Sequence, residues 1–426
     1  MQEASTASST FEVPEPELTP REIVARAAAM RPGLLERQAE TEEHTFYSEE
    51  THRAFTEAGF YRILQPRRFG GYEFDLETYF RVIIEIARGC PSTGWCLCLG
   101  GAHVLQVASM FDEQAQAAFF GPDGHFVCAS YGAPVGVAEP RDDGYVIGGK
   151  FSYASGIPYS THFMGQTLLH PEDPLDPGLM FVISAEQFER LDDWHGVLGM
   201  RGSGSHSIQI DDAWIPASHA VRAFMVDLPV EGGTVGSRLH GNPMYAGRTL
   251  GFFHGEFGAI MVGSAYAALD EYQRIITTRP ATWIPTMKRY ELVDYQRYLG
   301  EAIAEIATAE AAVIQGAQQW MELARLNVEE DRPFTAEDDA RLEALQATAC
   351  RIAWHAVEGI LFRTGGSAGA RDGQRMQRYW RDMSTYWSHN TPAQRDFLLT
   401  SLGRRRLGLP IVPPGSDPAA SQPASP

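Results

Sequence analysis

The chain has little basic charge for its size. Its 426 residues carry 35 Lys and Arg against 54 Asp and Glu, a formal net charge of −19. Nucleic acid and anionic membrane surfaces repel such a chain, so neither is an expected partner. Cysteine is scarce. Cys90, Cys96, Cys98, Cys128 and Cys350 are odd in number and show no paired C-x-x-C spacing. That excludes a disulfide framework and a zinc site from the expectations, and no metal is called for. A reducing cytoplasm suits these thiols. No run reaches the roughly 20 apolar residues that span a bilayer. The N-terminal MQEASTASSTFEVPEPELTP lacks a basic-then-apolar secretory pattern, and no internal repeat is visible. What is present is a 44% hydrophobic composition, ample for a large core and two or three domains.

Residues 1–19 and 413–426 are rich in Ser, Thr, Pro and small residues and read as disordered tails. Residues 20–121 read as a helical domain. A first helix opens at Pro20–Arg21 and runs through Ala39, a second covers Ser48–Ala58 and stops at Gly59, and a third spans Leu76–Arg88 with Phe80, Ile83, Ile84 and Ala87 on one face. A fourth starts at Pro91, capped by Ser92 or Thr93, and carries Trp95, Gly100, Gly101 and His103. Two glycines inside a helix cost about 1 kcal/mol each relative to alanine. They imply close approach by another backbone or a flat ligand, or else tight helix–helix packing. Residues 122–230 change character. HFVCASY, GYVIGGKFSY, HFMGQTLLH, GLMFVIS and HSIQIDDAWI read as strands bounded by Gly, Pro and Asp. Two loops stand out there, Phe151–Gly156 and the glycine-rich Gly199–Ser205. The second lacks the strand–GxGxxG–helix layout of a dinucleotide site. Residues 231–412 read as a helical bundle. Leu299, Ile303, Ile306, Val313, Ile314, Ala317 and Trp320 mark one amphipathic helix, and Leu342, Leu345, Ala349, Ile352, Ala356, Val357 and Ile360 another.

The second of these helices breaks at Gly365–Gly366 and leads into GGSAGARDGQRMQRYWRDMSTYWSHNTPAQRD, residues 365–396. The segment holds Arg371, Arg375, Arg378, Arg381 and Arg395, four aromatic residues and His389. His389 is its only side chain with an unperturbed pKa near neutrality. Taken by itself, the segment also fits a surface helix with a histidine near its C-terminal end, favoured by the helix dipole. Gly365-Gly-Ser367-Ala-Gly369 formally matches G-x-S-x-G, with Asp382 and His389 downstream, but a nucleophile elbow needs a preceding strand and a long helix stands there instead.

Four blocks, in order, resemble the acyl-CoA dehydrogenase fold and, more narrowly, the two-component flavin-dependent monooxygenases built on it. They are GFYRILQPRRFGGYEFDLETYFRVIIEIARGCPSTGWCLCLGGAHVLQ, GKFSYASG, LGMRGSGSHSIQIDDAWIP and GGSAGARDGQRMQRYWRDMSTYWSHN. The resemblance covers nearly the whole chain between the tails. It implies a mainly α fold with a central β-domain: an N-terminal helical domain, a β-barrel or sandwich, and a C-terminal four-helix bundle. Where the dehydrogenase branch carries a catalytic glutamate, this chain has His389, as the oxygenase branch does.

The resemblance therefore implies an oxygenase component that uses reduced FMN or reduced FAD and O2 to hydroxylate an aromatic, phenolic small molecule through a C4a-(hydro)peroxyflavin. A separate NAD(P)H-dependent reductase would supply the flavin. His389, His103 and Ser155 are the implied catalytic residues, with Ser155 bonded to flavin N5. Trp95, Ala154, Ser155, Arg279, Gly365, Gly366 and His389 are the implied flavin-binding residues. Ala154 departs from the commoner Ser-Ser-Gly and leaves one hydroxyl in that tripeptide. Arg279 resembles the arginine that reaches a neighbouring subunit's flavin phosphate, and a cytoplasmic homotetramer is implied. Ser155 also fits a turn serine, His103 a buried histidine bonded to a carbonyl, and Gly365–Gly366 a helix C-cap. An acyl-CoA dehydrogenase-like flavin enzyme, or an N- or S-oxygenating tailoring enzyme on the same fold, is the alternative.

Overall fold

The computed structural model describes residues 11–173, 175–389, 392 and 395–411. The tail expected at 413–426 and the first ten residues lie outside the described residues. Residues 11–19 correct the expectation of a tail. The Phe11 ring lies 5.5 Å from that of Phe69, Leu18 is buried, and Glu15 pairs with Arg26 at 2.6 Å. Two apolar anchors and one ion pair hold a stretch whose composition looked disordered.

Seven helices follow: α1 (Pro20–Glu36), α2 (Gln38–Glu43), α3 (Glu49–Glu57), α4 (Leu76–Gly89), α5 (Pro91–Gly101), α6 (Val104–Met110) and α7 (Glu113–Phe120). Local chemistry sets their starts. Thr19 and Glu22 form a capping box at α1, and Ser48 and Asp75 cap α3 and α4. Two expectations for α5 are corrected. Its cap position is Cys90, with no side-chain bond, so Ser92 and Thr93 sit buried inside the first turn. Proline at the first helical position fixes the start without a capping hydroxyl. The helix also ends at Gly101, which leaves His103 on the link to α6 and not on the helix that carries Trp95.

The β-domain is a sandwich of two four-stranded sheets. Its strands are β1 (Cys128–Ser130), β2 (Val137–Arg141), β3 (Gly144–Phe151), β4 (His162–Thr167), β5 (Leu179–Ser184), β6 (Glu189–Arg190), β7 (Ile208–Pro216) and β8 (Ala220–Val221). One sheet has the order β1-β4-β5-β8, the other β2-β3-β7-β6, and β1 runs parallel to β4 while the other pairs are antiparallel. Phe151, Phe163, Phe181, Ile183, Ile208 and Ile210 belong to the core of this domain.

The remaining helices are α8 (Val235–His240), α9 (Thr249–Thr278), α10 (Val293–Glu329), α11 (Ala336–His355), α12 (Arg363–Gly365), α13 (Arg375–Tyr386) and α14 (Arg395–Arg406), with a π-helical stretch Ala356–Phe362 joining α11 to α12. The centre of the bundle is α9. It packs against α4, α10 and α11, and most of its 30 residues are buried. Small residues permit this: a Cβ on Gly263 would lie 2.4 Å from the Ile84 carbonyl oxygen. All five cysteines are buried free thiols. No helix among the described residues is long and apolar enough to cross a membrane.

Candidate active site

The two β-domain loops meet α5 at Trp95. The Ala154 N–H donates to the His206 carbonyl (3.1 Å) and the Gly156 N–H to the Ser203 carbonyl (3.3 Å), which binds one loop to the other. Gly156 has φ +86°, and a Cβ there would lie 2.8 Å from the Cys96 carbonyl and 3.1 Å from the Gly100 Cα. The close approach that the glycines of α5 imply is thus made, at Gly100, by the backbone of the Ser155 loop. At that seam the Trp95 Nε1–H donates to Ser155 Oγ (2.9 Å), Ser155 Oγ shares a hydrogen with Ser205 Oγ (2.7 Å), and Ser205 Oγ shares one with Ser203 Oγ (2.7 Å). All four residues are buried.

This row of hydroxyls has a useful property. A hydroxyl donates once and accepts twice. With protons running Ser155 to Ser205 to Ser203, Ser155 accepts from Trp95 and keeps one acceptor position open. With the direction reversed, Ser155 keeps its own proton to give. The row can meet either a donor or an acceptor placed against Ser155. Ala154 is buried and contributes backbone only.

His389 lies just past α13. Its ring centroid is 4.9 Å from that of Phe257 and 6.1 Å from that of Trp95. His389 is exposed as a residue, while many protein atoms stand around its imidazole. Loss of water pushes its pKa down to about 4, so the imidazole is neutral at neutral pH.

His103 is buried, and both ring nitrogens are engaged. Nδ1 lies 2.8 Å from the Cys128 carbonyl and Nε2 2.7 Å from Ser130 Oγ. The carbonyl can only accept, so Nδ1 carries the hydrogen and Nε2 accepts from Ser130. Burial lowers the His103 pKa to about 4. The half-buried Ser130 hydroxyl is the less buried member of the pair. Phe253 lies 5.8 Å from His103 and sits one turn of α9 before Phe257, so one face of α9 joins the His103 and His389 clusters.

Beneath the glycine-rich loop, Asp382 of α13 accepts the Met200 N–H (2.7 Å), while Arg381 donates to the Leu198 carbonyl (2.8 Å) and to Glu42 (2.9 Å). Gly199 rests on α13 so closely that a Cβ would lie 2.0 Å from the Arg381 carbonyl oxygen. Burial, reinforced by Glu42, raises the Asp382 pKa to about 7. The hydrolase arrangement fails here: Ser367 follows a helix, and Asp382 is committed to Met200.

Arg279, Gly365 and Gly366 gather elsewhere, at the end of α9. Arg289 links them. Its N–H donates to the Arg279 carbonyl (3.1 Å), its Nη1 donates to the Gly365 carbonyl (2.6 Å), and its guanidinium stands 3.1 Å from where a Gly366 Cβ would be. Gly366 has φ +87°, a conformation open to glycine. Among the described contacts none joins this group to Ser155. Two surface clefts of about 350 and 400 Å³ also lie apart, one between α1 and α13 and one beside α10, and no candidate residue lines either.

The matching family models are the acyl-CoA dehydrogenase N-terminal domain over residues 19–121 and the acyl-CoA dehydrogenase C-terminal domain over residues 256–393. The flavin-dependent monooxygenase oxygenase subunit HsaA of Rhodococcus jostii is 30% identical over 397 residues, 91% of this chain and 98% of that protein. The chain belongs to the flavin-dependent monooxygenase oxygenase components. The FADH(2)-dependent resorcinol hydroxylase oxygenase component of a Rhizobium strain is 29% identical over 358 residues, 82% of this chain and 85% of that one. The crystal structure of 3-HSA hydroxylase from a Rhodococcus strain superposes with a TM-score of 0.82 at 26% identity, covering 92% of this chain and 98% of that one. An oxygenase component works with a separate second component.

The residues of this oxygenase component fit a reduced flavin. Trp95, Phe257 and His389 supply flat aromatic walls, Ser155 keeps one hydrogen-bond position open, and Arg279 is half-buried with no ion pair among the described residues. Sequence reasoning missed Ser130, Ser203, Phe253, Phe257 and Arg289. Ser203 lay inside a block quoted for its glycines. The two phenylalanines lie on a helix buried on nearly every side, so no stripe singles them out.

Proposed function

We propose that this oxygenase component hydroxylates a phenolic ring, with reduced FMN or FAD delivered by an NAD(P)H-dependent reductase. Reduced flavin, when bound, supplies the two electrons with which O2 gives one oxygen atom to the ring and one to water. The protein's own residues do the rest. Ser155 takes or gives the hydrogen at flavin N5, set by Trp95 on one side and Ser205 on the other. Trp95 and Phe257 keep water from the reacting face. His389, neutral, accepts a proton from the phenol or holds one beside dioxygen. Ser130 passes its hydrogen to His103 Nε2 as it accepts the substrate's, which makes His103 a positioning residue acting through Ser130. Arg279, with Gly365 and Gly366, holds the flavin phosphate of a neighbouring subunit in a cytoplasmic homotetramer. Trp283, 92% exposed on the loop after Arg279, supports such an interface.

The observation that carries this reading is His389 standing neutral against Trp95 and Phe257, with Trp95 also bonded to the Ser155 hydroxyl. The test mixes the protein with photoreduced FMN or FAD, then with O2 and a panel of simple phenols, and measures catechol and peroxide. Wild type is expected to form catechol without the reductase present. His389→Ala is expected to keep its fold by circular dichroism while product per O2 falls at least tenfold and peroxide rises. An unchanged product-to-oxygen ratio would remove His389 from the chemistry. Light scattering checks the assembly: a mass of four chains is expected, and a single-chain mass would overturn the shared phosphate site.

A further inference from the structure

Behind the Phe253–Phe257 face of α9 lies a polar pair that the reading above does not use. His254 of α9 and Glu343 of α11 are both more than nine-tenths buried, and His254 Nε2 lies 3.3 Å from Glu343 Oε1. His254 Nδ1 is bonded to the Leu250 carbonyl at 3.0 Å and therefore carries the hydrogen, which leaves Nε2 as a bare lone pair. That Nε2 has no hydrogen-bond partner among the described residues, and the contact seen at the Glu343 carboxyl is His254 itself. One turn earlier on α11 the contrast is sharp. Asp339 accepts from the backbone N–H groups of Leu250 and Gly251 at 3.1 and 2.7 Å, two of the free donors at the start of α9. Buried polar atoms are almost always satisfied, and one left open calls for an explanation.

The pair sits at the site. His254 adjoins Phe253, which faces His103, and lies one turn from Phe257, which faces His389. The charges of His254 and His389 sense one another, as do those of Glu343 and Tyr386, whose ring packs on Phe257 at 5.6 Å. The groups facing the pair are thus Asp339, His389 and Tyr386, with Arg248 3.7 Å from Asp339 on its far side. Glu343 and Nε2 offer acceptors and no fixed donor, an arrangement suited to a group rich in N–H and unsuited to a carboxylate.

We propose that His254 and Glu343 form the polar end of the substrate chamber and select phenols bearing an ammonium substituent over those bearing a carboxylate. The ammonium donates to Glu343 and to His254 Nε2 together. Burial and Asp339 raise the empty Glu343 to a pKa of about 7, so a cation arriving there displaces a proton. This inference rests on the reading that an aromatic substrate lies beside His389, and the probes separate the two.

Binding of tyramine, 4-hydroxyphenylacetate and 4-ethylphenol to the flavin-loaded protein is measured by titration calorimetry at pH 7 in two buffers of different ionisation enthalpy. Tyramine is expected to bind at least tenfold more tightly than 4-hydroxyphenylacetate, with release of a fraction of a proton that 4-ethylphenol does not release. In Glu343→Gln the tyramine advantage and the proton release are both expected to vanish, while 4-ethylphenol binds as before. Equal affinity for the three, or a carboxylate preference, overturns the inference and leaves the chamber standing. Equal weakening of all three probes in Glu343→Gln makes Glu343 merely structural and also overturns it. Failure of 4-ethylphenol to bind the wild type overturns the chamber and the inference together.

Discussion

Removing the Ser155 hydroxyl strands a hydrogen. In Ser155→Ala the Trp95 Nε1–H, buried at 6% exposure, loses the oxygen it reaches at 2.9 Å. An unpaired buried donor costs about 1–3 kcal/mol. Ser205 loses one partner but keeps Ser203 at 2.7 Å, so little is added there. Trp95→Phe acts differently. It deletes the N–H together with part of a ring that packs on Phe257 at 5.2 Å, while Ser155 stays bonded to Ser205. A large-to-small change of that kind costs about 1–3 kcal/mol by lost packing. With both changes made, the stranded donor no longer exists.

The double variant is therefore expected to be less destabilised than the sum of the singles by about 1 kcal/mol, within the usual range for residues in contact. Urea unfolding midpoints with a common slope measure this, and product formed per O2 consumed measures the functional side. Ser155→Ala is expected to divert more O2 to peroxide than Trp95→Phe does, because only the first removes the hydroxyl offered to the flavin. Strict additivity, within about 0.3 kcal/mol, would mean that the Trp95–Ser155 bond does not hold this seam together. Unchanged coupling in Ser155→Ala would remove the hydroxyl from the chemistry.

Two other outcomes are expected. Asp382 keeps its proton in the folded chain up to about pH 7, whereas an ordinary aspartate releases it near 3.8. The folded state binds more protons between those values, so stability falls as pH rises from about 4 to about 7 and is level above. Asp382→Asn keeps an oxygen for the Met200 N–H and removes that fall. Thermal midpoints at pH 5 and pH 8 are expected to lie closer together in the variant, and an identical pH dependence would refute the account. Trp283→Asp is expected to shift the light-scattering mass below four chains without loss of helix by circular dichroism. An intact tetramer would take that loop out of the interface.

Much of this architecture was legible because the pattern was one-sided. The strand segments now seen as β1, β3, β4, β5 and β7 stood out by alternation between turn residues, and α10 and α11 by apolar stripes. The elements that escaped have no such signal. β6 and β8 are two residues long, and β2 exposes all but one of its residues. α9 is buried on nearly every side, so its glycines, alanines and phenylalanines show no contrast between faces. That is why Phe257, which holds His389, was invisible. The His103–Ser130 and His254–Glu343 pairs were illegible for another reason. Each joins residues distant in the chain, and only the packing of α5 against β1, and of α9 against α11, brings them together.

The placement of His389 and of Ser155 is one structural problem and not two. His389 follows α13, and α13 is anchored by Asp382 to Met200, by Arg381 to Leu198, and by backbone contact to Gly199. Those three residues open the same loop whose far end carries Ser203 and Ser205, the partners of Ser155. A shift of α13 would therefore drag the hydroxyl row as well as the imidazole. Glu42 of α2 ties the N-terminal domain into the same knot through Arg381 and Arg378. Three domains thus converge on α13, and the geometry at His389 and Ser155 is only as firm as that convergence. A buried Asp382 with its pKa raised to about 7 suits this place. Below about pH 7 it accepts the Met200 N–H without adding a second negative charge beside Glu42.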